Sequence, residues 1–172
     1  MYLPDFDYYA PESVAEASQL LMQYQDSVKV ISGGTDLMPK MKNGVIAPKV
    51  LVSIKKLPGM KKIEYVPGKG VVIGALSTHN DIVFSEVLHE KYNSASNAAA
   101  TMAANQVRHV GTIGGNIVSS VPSADLPPIM IALNATATIA GPKGERTLLL
   151  EEVFLGPGRT VLEQNEILTE IV

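Results

Sequence analysis

The chain alternates between short β-branched runs and longer stretches in which apolar residues recur every three or four positions. In "SVAEASQLLMQY" Val14, Ala17, Leu20, Leu21 and Tyr24 share one helical face, and Ser13 with Glu16 three residues on has the spacing of a capping box. "VKVIS" (28–32) and "VLVSI" (50–54) are compact β-branched runs. The first stops at Gly33-Gly34 and the second precedes the turn at Pro58-Gly59, so both are predicted strands. Between them "TDLMPKMKN" supports one or two helical turns interrupted by Pro39. Further along, "KKIEYV" and "GVVIGAL" flank the turn "PGKG" as a hairpin. Residues 78–92 are predicted as one helix entered through Ser77 or Thr78, and 94–104, rich in alanine, as a helix pressed close to another backbone. "DLPPIMIALN" is helical, with Asp125 as cap and both prolines in the first turn, where a missing N–H costs little. "ATATIAGPKGERTLLL" gives strand, turn and strand, and "EILTEIV" a final strand.

These elements predict an α+β fold in two lobes, 1–58 and 59–172, with no internal repeat and no low-complexity linker. A strand running out at Val172 without a polar tail is the expected look of a chain cut from a longer one.

Composition narrows the functional classes. A chain of 172 residues, 46% hydrophobic and 18% charged, is long enough for one sizeable core and too apolar to be a disordered tail. The net charge of −3 excludes a general nucleic-acid binder. The main basic cluster, Lys55, Lys56, Lys61 and Lys62, is broken by Leu57 and Pro58 and is expected to be a solvated strand edge. With no cysteine, the chain itself has no disulfide, no thiol catalysis and no thiolate site for zinc or an iron–sulfur cluster. No run has the length of a membrane span and the start lacks a basic, apolar signal pattern, so the expected location is the cytoplasm.

Two glycine stretches carry the candidate chemistry: 32–37, Ser-Gly-Gly-Thr-Asp-Leu, directly after a strand, and 111–116, Gly-Thr-Ile-Gly-Gly-Asn. Neither matches the Gly-Lys-Ser/Thr phosphate loop or the dinucleotide pattern G-x-G-x-x-G. Consecutive glycines let successive N–H groups face one concavity and bind an anion, and Thr35, Thr112, Asn116 and Ser119 add short polar side chains. Each stretch alone reads as a turn or bulge; two in one small domain point to a diphosphate held from both sides. An aspartate in such a site repels phosphate, so Asp36 is expected to bind neighbouring N–H groups. Asp125 is expected either to cap its helix or to accept hydrogen bonds from sugar or ribityl hydroxyls. His79, His89 and His109 read as surface or capping residues, and Arg108 as a support for the loop rather than a phosphate ligand.

"VISGGTDLMPKMK", "VVIGALSTHNDI" and "NQVRHVGTIGGNIVSSVPSADLPPIMIAL", in this order, resemble the medium, FAD-binding subunit of the molybdenum hydroxylase family, which includes xanthine, carbon monoxide and nicotinate dehydrogenases and 4-hydroxybenzoyl-CoA reductase. "QVRHVGTIGGN" followed by "ADLPP" is the specific part, and the likeness extends over essentially the whole chain. It implies the two-lobed α+β flavin fold shared with vanillyl-alcohol oxidase. By the same resemblance, FAD is lined by Val30, Ile31, Ser32, Gly33, Gly34, Thr35, Asp36 and Leu37 on one side. Thr112, Gly114, Gly115 and Asn116 line it on the other, with Ala103 and Val107 nearby and Asp125 as a polar contact.

The implied function is electron transfer rather than acid–base catalysis, so no catalytic residue is assigned. Electrons from a molybdopterin-binding large subunit would pass through [2Fe–2S] clusters of a small subunit to FAD, and on to an acceptor such as NAD or a carrier. His109 departs from the asparagine common at its position, and the family's subunits continue into a further domain that this chain is expected to lack. The absence of a cysteine-bearing insertion argues against the branch with an extra [4Fe–4S] cluster on this subunit. Two other readings stand beside this one: a self-contained flavin-dependent oxidase or reductase of the same superfamily, and a non-enzymatic interaction module whose glycines are only turns.

Overall fold

In the computed structural model, which describes residues 2–172, the N-terminal third builds a three-stranded parallel sheet. Strand β1 (Asp7–Tyr9) leads into helix α1 (Val14–Tyr24), which crosses over to β2 (Val28–Ile31); helix α2 (Leu37–Lys42) then connects to β3 (Val50–Ser53). The spatial order is β1-β3-β2, and β3 is buried along its whole length, which accounts for its unbroken apolar run. Helix α1 starts where the sequence places it, with the Glu16 N–H donating to Ser13 Oγ. The Glu16 carboxylate, however, accepts from the Glu12 N–H rather than closing a box on Ser13. Buried Ala17 and Leu21 face inward.

The remainder forms a five-stranded antiparallel sheet and six short helices. Strands β4 (Ile63–Val66) and β5 (Gly70–Gly74) make the expected hairpin. Helices α3 (His79–Val83), α4 (Glu86–Lys91), α5 (Asn93–Thr101), α6 (Asn105–Arg108), α7 (Ile113–Ser119) and α8 (Leu126–Ala132) follow before the sheet resumes with β6 (Thr136–Gly141) and β7 (Gly144–Leu149). A small hairpin of β8 (Phe154–Gly156) and β9 (Arg159–Thr160) precedes β10 (Ile167–Ile171). The last strand lies in the middle of the sheet, whose order is β4-β5-β10-β6-β7. One apolar cluster spans both sheets: Val28 and Val52 from the first, Ile73, Ile139 and Ile171 from the second, and Leu88, Ile113 and Leu126 from the helices.

The structure differs from the sequence reading in several elements, among them the helix expected over 94–104, which ends at Thr101 and is followed by the separate α6. The single helix expected over 78–92 is two, because Ser85 accepts the Leu88 N–H and starts α4 afresh after Phe84 ends α3. Of the two caps the sequence offers for α3, Thr78 is the one used, in a full capping box with Asp81. Strand β1 and the β8–β9 hairpin were not expected: each strand is only two or three residues long, β1 pairing with distant β3 and β8 with β9 across the turn at 157–158. Finally, the second glycine stretch lies in a helix rather than a loop.

Candidate functional site

The two glycine stretches meet. Strand β2 delivers Ser32 and Gly33 to the C-terminal edge of the parallel sheet, and there the chain lies directly on the backbone of residues 110–111. A Cβ on Gly33 would run into the carbonyl oxygen of Val110 and sit 2.9 Å from Gly111 Cα, so only glycine permits this approach. Beside it the Thr112 hydroxyl donates to Ser32 Oγ at 3.1 Å. Gly115 faces the same two hydroxyls, with a Cβ there falling 3.0 Å from each.

The main-chain donors at this junction are unequally used. The N–H groups of residues 33–37 make no hydrogen bond to another described residue, and neither does the N–H of Thr112. Residues 113–116 differ. The Ile113 N–H donates to the Ser77 carbonyl, Gly114 to Ala75, Gly115 to Thr112 Oγ1 and Asn116 to the Thr112 carbonyl. The expectation that both stretches form open amide concavities therefore fails for residues 113–116 of the second: they form the first turn of α7, capped by Thr112, and their amides are engaged. Gly114 is glycine for packing, since a Cβ there would lie 2.7 Å from the Ala75 Cβ and from its carbonyl oxygen.

The other residues singled out in the sequence fall as follows. Val30 is exposed on β2, Ile31 and Leu37 are half-buried, Gly34 lies between Ser32 and Thr35, and Thr35 is exposed. Contrary to expectation, Asp36 does not hold neighbouring N–H groups; its Oδ2 pairs with Lys40 Nζ at 2.7 Å, one turn along α2, which offsets its charge. Asn116 Oδ1 is buried without a hydrogen-bond partner and borders a hollow of about 270 Å³ lined also by Ser120, Pro122, Pro127, Phe154 and Pro157. No sequence pattern marks that hollow, because its walls come from α7, α8 and the β8–β9 hairpin. Asp125 sits at the N-cap of α8, but its side chain makes no cap hydrogen bond and is exposed; the capping alternative is not realised. Ala103 is exposed at φ +44°, and the Val107 carbonyl accepts the Gly111 N–H at 2.7 Å.

The expected surface role of His79 is overturned. It is buried, its N–H donates to the Gly111 carbonyl, and its ring packs against Gly111. Burial, together with the nearby Arg108 cation, holds its pKa below the ordinary imidazole value. His89 is exposed and bridges the Val83 carbonyl and Asn93, while His109 is exposed beside the junction. Arg108 points away from the glycine amides, donating to Met102, Ala103 and Asn80.

The fold has close counterparts among solved structures, and the sequence among known proteins. The chain is 39% identical to the carbon monoxide dehydrogenase medium chain of Hydrogenophaga pseudoflava over 99% of its own length and 59% of that protein. It is 36% identical to the nicotinate dehydrogenase FAD-subunit of Eubacterium barkeri, covering 99% of this chain and 58% of the relative. Among solved structures, carbon monoxide dehydrogenase from Hydrogenophaga pseudoflava superposes with a TM-score of 0.95 over 99% of this chain and 59% of that one, at 39% identity. Quinoline 2-oxidoreductase from Pseudomonas putida 86 gives 0.93 at 28% identity, over 99% of this chain and 59% of that one. The chain thus spans about three-fifths of the length of these relatives. The family described as FAD binding domain in molybdopterin dehydrogenase matches residues 4–172, and the chain belongs to that family.

Proposed function

We propose that this chain holds FAD non-covalently at the glycine junction, as the flavin-bearing medium subunit of a molybdenum-containing dehydrogenase. Its proposed partners are an iron–sulfur small subunit and a molybdopterin-binding large subunit, with an external acceptor such as NAD or a carrier. The relatives named as medium chains and an FAD-subunit support this reading. The observation that carries it is the row of free N–H groups at residues 33–37, joined by that of Thr112 across the Ser32–Thr112 contact.

The fit to a dinucleotide diphosphate follows from the donors. Successive main-chain N–H groups suit an anion without a buried lysine, whose desolvation would cost several kcal/mol. The pairing of Asp36 with Lys40 removes the repulsion that a bare carboxylate on this loop would exert. Asn116 Oδ1 has no partner and accepts from whatever N–H or O–H enters the neighbouring hollow, and the exposed carboxylate of Asp125 is open to hydroxyl donors. FAD, when bound, supplies the redox chemistry that couples a one-electron donor to a two-electron acceptor. This chain's residues bind and orient it; none is assigned a proton to move.

The test is direct. The purified chain, supplied with FAD, should quench flavin fluorescence with 1:1 stoichiometry and show the visible absorbance of a bound flavin. In Gly115→Val the added side chain crowds Ser32 and Thr112 and should abolish uptake while the far-ultraviolet circular dichroism is retained. Wild-type protein that is folded yet takes up no FAD overturns the reading.

A further inference from the structure

The segment between α5 and α7 approaches the glycine junction from behind and is held in an unusual shape. Helix α5 ends at Thr101 with Met102 as its C-cap, Ala103 takes φ +44° although it is not glycine, and α6 is followed within two residues by Val110, whose carbonyl abuts Gly33. A left-handed conformation at an alanine persists only where its surroundings enforce it. The enforcing group is Arg108. Its Nη1 donates to the Met102 carbonyl at 2.7 Å and to the Ala103 carbonyl at 2.8 Å, and its Nε donates to Asn80 Oδ1 at 3.3 Å. Asn80 is buried and completes the chain through Nδ2, which donates to Asn105 Oδ1 at 2.9 Å. The guanidinium thereby ties both ends of the 102–108 bend to α3.

No carboxylate lies within ion-pair distance of Arg108 among the described residues, so the cation is satisfied by carbonyl and amide dipoles alone. Its planar fork is what the geometry uses. A lysine ammonium at the end of a flexible stem cannot reach two successive carbonyls and an amide oxygen in the same arrangement.

We propose that Arg108, oriented by Asn80, is a positioning residue for the flavin site: it fixes the 102–110 segment so that Val107 and Val110 carry Gly111 and Thr112 against Ser32 and Gly33. The inference rests on the proposed function and concerns this chain's own residues rather than any contact of Arg108 with the flavin.

The experiment compares Arg108→Met, Arg108→Lys and Asn80→Ala with wild type by two measurements. One is the FAD dissociation constant from fluorescence quenching, taken on folded protein well below its unfolding temperature. The other is deuterium uptake of residues 102–107 in FAD-free protein. Removal of the groups that orient metal ligands weakens metal binding about tenfold to a hundredfold, and by analogy a loss of about tenfold or more in FAD affinity is expected for Arg108→Met and Asn80→Ala. Arg108→Lys should fail to rescue it, and uptake over 102–107 should rise in all three. A folded Arg108→Met that binds FAD within about twofold of wild type overturns the inference, as does full rescue by lysine, which would assign the effect to charge. Unchanged deuterium uptake also overturns it. If Arg108→Met does not fold, Asn80→Ala decides by the same criteria. A wild-type chain that takes up no FAD instead overturns the functional reading and this inference together.

Discussion

Ser32 and Thr112, 80 residues apart in the chain, are joined by a 3.1 Å hydrogen bond between their hydroxyls. That contact brings the end of β2, with its free amides, against the start of α7, whose amides are spent on its own cap and on Ser77 and Ala75. The two glycine stretches are therefore unequal partners. One offers donors, and the other offers a bare surface on which the first can lie.

Thr112 has two roles that substitution separates. Its Oγ1 accepts the Gly115 N–H as the α7 cap and donates to Ser32. Thr112→Val keeps the volume and loses both, and the cap alone is worth about 1 kcal/mol. Urea unfolding should show a loss of at least that size, while Thr112→Ser remains close to wild type in both stability and FAD uptake.

Gly33→Ala tests the close approach. The added methyl meets the Val110 carbonyl and Gly111 Cα, both main-chain atoms, so relief requires the two stretches to separate. Overpacking of this kind costs about 1–3 kcal/mol. The urea midpoint should fall accordingly, and FAD affinity should fall further than stability does. Equal stability and equal FAD affinity in the variant would contradict the contact.

Asp125→Asn should separate binding from folding. The carboxylate is exposed and makes no cap bond, so stability should change by less than about 0.5 kcal/mol. If Asp125 accepts hydrogen bonds from the bound cofactor, flavin titration of the same variant should show weaker binding at that unchanged stability.

His79 gives the fold a pH dependence with a definite sign. Burial first, and Arg108 second, hold its folded pKa below the ordinary value of 6.5. Below that pH the unfolded chain binds a proton that the folded chain does not, so stability falls as pH drops through about 6.5 and levels off below the folded value. One proton contributes a slope of at most about 1.4 kcal/mol per pH unit. The urea midpoint measured between pH 7.5 and 5 should drop more steeply in wild type than in His79→Leu. Parallel curves would show that His79 carries no such linkage.

The local elements were legible because their causes are local. The apolar face of α1 and its Ser13 cap, the Val-Ile run of β2, the hairpin around 67–70 and the prolines at the start of α8 each rest on neighbours within a few residues. The misreadings have two physical origins, one local and one tertiary. Phe84 and Ser85 interrupt a good helical period because a serine side chain competed for the Leu88 N–H. His79 has the look of a helix-start surface residue, and its burial, with Gly111 packed against its ring, is a product of tertiary structure.

What the amino-acid sequence determined by itself is most of the longer elements, the two glycine stretches and the resemblance to a flavin-binding family, because periodicity, capping and the absence of Cβ atoms are properties of the chain. What only the tertiary structure decided is which amides remain free. Whether an N–H is available depends on what lies opposite it, and the opposing groups at this junction, Ser77, Ala75 and Ser32, come from strands and turns 36 to 80 residues away. The same holds for the last strand, β10, whose place between β5 and β6 is set by partners at residues 73–74 and 137–140 that no local pattern names.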